Sequence, residues 1–191
     1  MFRRHQAFFF AIATRLLLCI IIIVIQQEEV TAFAAAPHRG NCRFFLDTAD
    51  TTEWDALLPL GLFHGVTTNP ALLERAHEPC TISNLHQLAA KALCHHIDEF
   101  MCQTWGSTAQ EMYENGMAIS KFDRDRIVIK VPVTAQGAEA ATLLGDAGVR
   151  ICLTACYDSK QALIAASMGV EYIAPYLGRY VFMFMFGVNY W

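Results

Sequence analysis

The chain has 191 residues, enough for one domain with a sizeable core, and 18 acidic against 14 basic side chains give it a net charge of −4. Because no Lys/Arg run follows the first few residues, the charge pattern argues against a nucleic-acid partner. The seven cysteines form no CxxC pair, which indicates reduced, mostly buried thiols. Adjacent Cys94, His95 and His96 would point in different directions on a helix, so no metal site is expected there.

Residues 1–42 have the features of a targeting presequence. A basic start, MFRRHQ, precedes the apolar run LLLCIIIIVI at residues 16–25, whose length suits a signal peptide. Small residues for a cleavage site follow at residues 30–32. A membrane anchor over residues 7–25 is the alternative, although Arg15 would be costly at the middle of a bilayer. Contact with a membrane is expected only through this presequence, if it stays uncleaved.

The segment after the signal peptide, FAAAPHRG, resembles the transit part of the bipartite plastid presequences of algae with secondary plastids. In those presequences the signal peptide ends at an Ala-Phe junction. The resemblance implies a plastid location, which would keep cysteines reduced. A secreted protein is the alternative.

From Arg43 onward, strand-like and helix-like segments alternate. Strands are expected at residues 44–47, at the start of GVTTNP (65–70), and at 99–105, 127–131, 150–155 and 170–176. A helix is expected to begin at Thr51 and Thr52, which are candidate N-caps. Further helices are expected over residues 82–97, 107–121, 135–147 and 158–168. Gly148 and Gly169 should end the last two. This βαβ alternation predicts an α/β fold with a parallel sheet.

Six such units without a Gly-rich phosphate motif favour a (β/α)8 barrel, present here as about six βα units, over a dinucleotide-binding fold. Functional side chains of such barrels lie at the C-terminal ends of the strands. The polar residues at those positions are Asp47, Thr67, Asn69, Gln103, Lys130, Thr154 and Tyr176. Each could be an ordinary cap or turn residue, but a recurrence at the same end of the strands indicates one site.

Lys130 is unusual because it interrupts a run of Ile and Val that reads as a buried strand. Alternation places Lys130 on the face opposite Ile127, Ile129 and Val131, and Cys152, Thr154 and Cys156 together on the corresponding face of the next strand. The aliphatic faces suit packing against outer helices, so Lys130 and Thr154 should face the barrel interior. The alternative is a lysine that extends from the strand end to solvent.

An interior lysine can act as a neutral amine that attacks a ketone and forms a Schiff base, with no cofactor. The resulting iminium withdraws electrons from the adjacent carbon–carbon bond, so a sugar can be split in the aldol sense. Asp47 is the candidate proton carrier, and Gln103, Thr154 and Tyr176 could position a water molecule.

Four motifs in this order, FLDTAD, GVTTNP, IKVPVTAQG and GVEYIAPYLGR, resemble the transaldolase family, especially its short branch with the fructose-6-phosphate aldolases. The resemblance covers Phe44 to Arg179. It implies that Lys130 forms the Schiff base, that Asp47 is the acid/base group and that Thr154 orients the water. It also implies that Thr67 and Asn69 contact the substrate and that Arg179 binds the sugar phosphate.

Two positions bear on the reaction type within that family. True transaldolases usually carry Glu where this chain has Gln103, and Phe where it has Tyr176. The Gln and Tyr pair is similar to the fructose-6-phosphate aldolase pattern, which implies release of dihydroxyacetone rather than its transfer to another sugar. Small sugar phosphates are the expected substrates, in the pentose phosphate pathway, and a homo-oligomer is an open alternative to a monomer.

The resemblance stops after Arg179. Residues 180–191, YVFMFMFGVNYW, form a divergent hydrophobic tail, and the partial barrel is expected to span residues 43–179. The last two strands and part of a phosphate site are expected to be missing, since barrels of this type typically need ~250 residues. The alternatives to an active enzyme are therefore a catalytically inactive, truncated relative and a membrane-anchored non-enzyme.

Overall fold

The computed structural model describes residues 42–175. Residues 1–41 of the presequence, the tail after residue 179, and the predicted site residues Tyr176 and Arg179 lie outside the described residues. Within residues 42–175, no helix is both long enough and apolar enough to cross a membrane.

The described part of the chain contains one parallel sheet with six strands in the order β1-β2-β3-β4-β5-β6, each alternating with helical structure. The strands are β1 (Phe45–Asp47), β2 (Gly65–Thr67), β3 (Glu99–Gln103), β4 (Ile127–Pro132), β5 (Ile151–Cys156) and β6 (Tyr172–Pro175). Every strand pairs with its neighbour in sequence, and the sheet curls into an incomplete (β/α) barrel of the TIM type. The predicted fold class is confirmed.

The helices follow the strands and begin at polar caps. They are α1 (Thr51–Leu57), α2 (Pro70–Arg75), α3 (Ile82–Leu93), α4 (Ala109–Ser120), α5 (Ala135–Asp146) and α6 (Ser159–Ser167). The predicted cap of α1 was wrong: Asp50, and not a threonine, is the N-cap, and its side chain accepts a hydrogen bond from Thr52 N. Gly148 and Gly169 have φ of 73° and 65°, so they end α5 and α6 as predicted.

Side-chain alternation divides the apolar residues into two clusters. The larger cluster lies between the sheet and the helices and includes Ile127, Ile129 and Val131 of β4. The smaller cluster lies on the opposite, interior face, where Val128 and Cys152 share the side of Lys130.

Cys156 departs from the predicted alternation. It joins the outer cluster and not the interior face of Cys152 and Thr154. The cause is a bulge between Thr154 and Cys156, where Ala155 has φ 59° and the pairing with β6 shifts register. An alanine in the left-handed region has no sequence signal that announces it.

Candidate active site

Lys130 lies near the C-terminal end of β4 and is only 4% exposed. Its Nζ donates a hydrogen bond to Thr67 Oγ1 over 2.6 Å and lies 3.8 Å from Asp47 Oδ1. Thr67 and Asp47 end β2 and β1, so both contacts pass over the neighbouring strand β3. Such contacts require the side chain to cross the concave face, which confirms that Lys130 points into the barrel and not to solvent.

Asp47 is the acidic member of this cluster, and its side chain is 10% exposed. Burial raises the pKa of the Asp47 carboxyl, and the nearby Lys130 charge and Thr67 hydroxyl offset only part of this effect. Its buried Oδ1 is one of three buried side-chain atoms that lack a hydrogen-bond partner among the described residues. A carboxyl group in this state can hold or release a proton within the site.

The end of β2 and the loop after it contribute Thr67, Thr68 and Asn69. Thr67 is 1% exposed and bonded to Lys130, whereas Asn69 Oδ1 caps α2 by accepting from Leu72 N over 3.0 Å. Thr68, not singled out by the sequence analysis, is fully buried, and its Oγ1 has no hydrogen-bond partner among the described residues. Of these three residues, Thr67 is the one that the structure bonds to the lysine.

Gln103 and Thr154 lie on the strands that flank Lys130. Gln103 pairs with Lys130 in the register of β3 and β4, and Thr154 pairs with Pro132 in the register of β4 and β5. Thr154 is 3% exposed and shares the interior face of its strand with Cys152. Thr154 is thus on the side of the sheet that the sequence predicts, and both residues lie at the predicted end of their strands.

The interior below the lysine is apolar. It is formed by Phe45, Met101, Val128, Cys152, Tyr172 and Ala174. Cys152 pairs directly with Lys130, and burial raises the pKa of its thiol to about 12, so it stays protonated. This interior layer keeps water away from the base of the site. The alternation of β5 predicts the position of Cys152, although the sequence analysis gave it no role.

A polar network occupies the opposite end of the strands, and the sequence analysis did not predict it. Tyr172 Oη donates to both carboxylate oxygens of Glu99, over 2.9 and 2.8 Å, and accepts from Arg43 Nη1 over 2.8 Å. Arg150 bridges Glu99 and Glu171. Burial opposes ionisation of Glu99, but the contact with His64 Nε2 at 3.5 Å and the hydrogen bond from Arg150 outweigh it and lower the pKa of Glu99 to about 2.

This network ties the start of β3 to the starts of β1 and β6. Phe45 also stacks edge-on against Tyr172, with ring centroids 5.8 Å apart. Charge pairing at this end of a barrel contributes to stability, since reactive groups lie at the other end. The sequence did contain a signal for this network. Glu99 is a charged residue at the start of an apolar strand, just as Lys130 is a charged residue within one.

Metal ligation finds no support in the described range, where no group of three or more His, Cys, Asp or Glu side chains is placed to hold an ion. In the Cys94, His95 and His96 run, the His95 ring nitrogen lies 3.2 Å from Asp55. The side chains of the site provide a buried amine, a carboxyl group of raised pKa, and hydroxyl and amide groups around them.

Comparison with known proteins supplies the family. The profile of the family described as Transaldolase/Fructose-6-phosphate aldolase matches residues 44–184. A protein named "Probable transaldolase" from Streptococcus equi subsp. zooepidemicus is 33% identical over 138 residues, covering 72% of this chain and 61% of its own length. A "Probable transaldolase" from Streptococcus pyogenes serotype M1 has the same identity and coverage.

The chain thus spans about three fifths of the length of these curated relatives. The match covers all six strands and every predicted site residue, from Asp47 to Arg179. On this evidence, the chain belongs to the transaldolase/fructose-6-phosphate aldolase family.

Proposed function

We propose that this protein carries out Schiff-base aldol chemistry on sugar phosphates, with Lys130 as the nucleophile. The observation that carries the proposal is the contact of a buried lysine amine with Thr67 and Asp47, at the C-terminal ends of parallel barrel strands. Burying a lysine is costly, so a lysine kept here among apolar residues calls for a functional reason. Family membership supports the same class of chemistry.

The reaction begins with attack of Lys130 Nζ on the C2 ketone of a ketose phosphate. Loss of water from the resulting carbinolamine forms an iminium ion. The C3–C4 bond then breaks, its electron pair moves toward the iminium nitrogen to form an enamine, and the C4 hydroxyl proton passes to a base while an aldehyde leaves. Protonation of the enamine at C3 and hydrolysis release dihydroxyacetone, whereas attack of the enamine on a second aldehyde transfers the three-carbon unit.

Asp47 is the group we assign to proton transfer. It lies beside Lys130, and burial raises the pKa of its carboxyl group, which brings the protonated and ionised forms closer in energy at neutral pH. Its Oδ1 makes no hydrogen bond among the described residues, which leaves an acceptor for a substrate hydroxyl. As a base it would take the C4 hydroxyl proton, and as an acid it would return a proton later in the cycle.

Water for the hydrolytic steps would be held by Gln103, Thr154 and Tyr176. Gln103 and Thr154 flank Lys130 in the sheet register, which supports this role. An amide at position 103 cannot ionise, whereas the Glu of true transaldolases can. The Gln103 and Tyr176 pair is similar to the fructose-6-phosphate aldolase pattern, and this resemblance supports release of dihydroxyacetone over transfer to a second sugar.

Substrate binding would draw on Asn69 and Arg179. Because Asn69 Oδ1 caps α2, its amide Nδ2 is the group that could donate to a substrate hydroxyl. Arg179 suits a phosphate because its guanidinium group can form two parallel hydrogen bonds with phosphate oxygens.

The test is reductive trapping on the full chain with dihydroxyacetone and cyanoborohydride, read by intact mass and peptide mapping. We expect one reduced three-carbon adduct on Lys130. Lys130→Ala should lose the adduct and any lyase activity while the protein stays folded, and Lys121→Ala, at an exposed position, should keep both. Activity that survives in Lys130→Ala would end the Schiff-base assignment, and a folded wild-type chain without adduct would indicate a non-catalytic relative.

A further inference from the structure

Thr67 was expected to contact the substrate, but the structure gives its hydroxyl group another partner. Its Oγ1 accepts a hydrogen bond from Lys130 Nζ over 2.6 Å, and both side chains are almost completely buried. We propose that Thr67 is a positioning residue that holds the Lys130 amine in place for attack on the ketone. This inference rests on the proposed function of Lys130.

The need for such an anchor follows from the lysine side chain. Its four methylene groups give it many conformations, and an apolar strand offers few polar groups to select one. A short hydrogen bond to a fixed oxygen selects one position of Nζ. Asp47 Oδ1, at 3.8 Å, lies beyond hydrogen-bonding distance and restricts the amine less.

The structure holds Thr67 firmly enough to serve as the anchor. The next residue, Thr68, donates its backbone N–H to Met101 O over 2.9 Å, which fixes the end of β2 against β3. Two residues earlier, β2 approaches β3 so closely that a Cβ on Gly65 would lie 2.4 Å from Glu99 O. Threonine itself has a restricted χ1 angle because it branches at Cβ. The position of Thr67 Oγ1 is therefore restrained by the backbone before and after Thr67 and by the restricted χ1 angle of the side chain.

A positioning role and a substrate contact predict different kinetics. An anchor that sets the place of the nucleophile changes the rate of the chemical step once the ketone is bound. A contact with the ketone itself changes the concentration of ketone needed to fill the site. The dependence of adduct formation on dihydroxyacetone concentration separates the two roles.

The experiment compares wild type, Thr67→Val and Thr67→Ser as full chains, with the rate of cyanoborohydride-trapped adduct on Lys130 as the readout. Valine keeps the branched shape without the hydroxyl group, and serine keeps the hydroxyl group. We expect Thr67→Val to lower the rate at saturating dihydroxyacetone about tenfold to a hundredfold. The half-saturating concentration should stay within about twofold, since ketone binding is not what is lost. Thr67→Ser should stay within about threefold of wild type, because it retains the hydrogen bond.

Three results would overturn the inference. A raised half-saturating concentration with an unchanged maximal rate in Thr67→Val would make Thr67 a substrate contact. Equal losses in the valine and serine variants would show that the hydroxyl group is not responsible. Absence of an adduct in wild type would remove the proposed function and this inference with it. Circular dichroism verifies that each variant is folded, and Thr67→Ala replaces Thr67→Val if the latter fails to fold.

Discussion

Gly137 offers a direct test of how closely helix α5 approaches the strand that carries Lys130. It lies in the first turn of α5, where its N–H donates to Thr134 Oγ1, the helix cap, over 3.0 Å. A Cβ added at Gly137 would lie 1.8 Å from the carbonyl oxygen of Pro132, the last residue of β4. Because the obstacle is backbone, no side-chain rotation can relieve the contact. We therefore expect Gly137→Ala to displace the start of α5 from the end of β4.

The magnitude follows from the contact. The helix start must move by about 1.2 Å to restore a tolerable separation, and overpacking of this kind costs about 1–3 kcal/mol. Loss of the Thr134 cap would add about 1 kcal/mol, and the better helix propensity of alanine would return about 1 kcal/mol. The net expectation is a loss of about 1–3 kcal/mol in the free energy of unfolding, or about 2–12 °C in Tm for a domain of this size.

Urea denaturation of the full chain measures this loss, and Gly145→Ala is the matched control. Gly145 lies in the same helix, and a Cβ there would meet only Ile151 Cδ1, at the ordinary distance of 3.6 Å. We expect this control to be neutral or more stable by up to about 1 kcal/mol. If Gly137→Ala unfolds at the same urea concentration as wild type, then the start of α5 does not lie as close to the end of β4 as the structure shows.

Two further predictions concern buried ionisable groups. The pKa of Glu99 falls from 4.5 to about 2 on folding, so the unfolded chain binds this proton at a higher pH than the folded chain does. The free energy of unfolding should therefore decline by about 2–3 kcal/mol as the pH falls from 4.5 to 2. In an acid-denaturation experiment, Glu99→Gln should make the free energy of unfolding less dependent on pH over this range. Burial raises the pKa of the Cys102 and Cys152 thiols to about 12, so iodoacetamide should leave both unmodified in the native protein while exposed Cys94 reacts. Peptide mapping identifies the alkylated cysteines, and alkylation of Cys152 in the native protein would contradict the packed interior.

Much of the fold could be predicted because its signals are local. Apolar runs, polar caps and glycine stops recur along the chain, and they place all six strands and the long helices within a few residues. The remaining differences have local causes as well: Thr108 caps α4, so this helix begins at Ala109 and not at residue 107. The left-handed backbone of Ala155, by contrast, carries no such signal, and the orientation of Cys156 was wrong for that reason.

The candidate site, like the fold, has some features that the sequence predicts and others that it does not. Alternation along β4 shows which face Lys130 occupies, and the strand ends show which polar residues share its side of the sheet. Which of them touch the amine is a different question, because Thr67 lies 63 positions earlier in the chain and two strands away. The sequence could nominate Thr67 and Asn69 alike, yet one bonds to the lysine and the other caps a helix.

The amino-acid sequence by itself determined the order of the strands and helices, the inward side of β4 and the family. Only the tertiary structure decided that Lys130 meets Thr67 and Asp47 across the concave face, and that Tyr172 joins Glu99 and Arg43 at the opposite end. The physical reason is that side-chain periodicity depends on the backbone of one strand. Contacts between strands that are not neighbours depend on the curl of the whole sheet, which no single segment encodes.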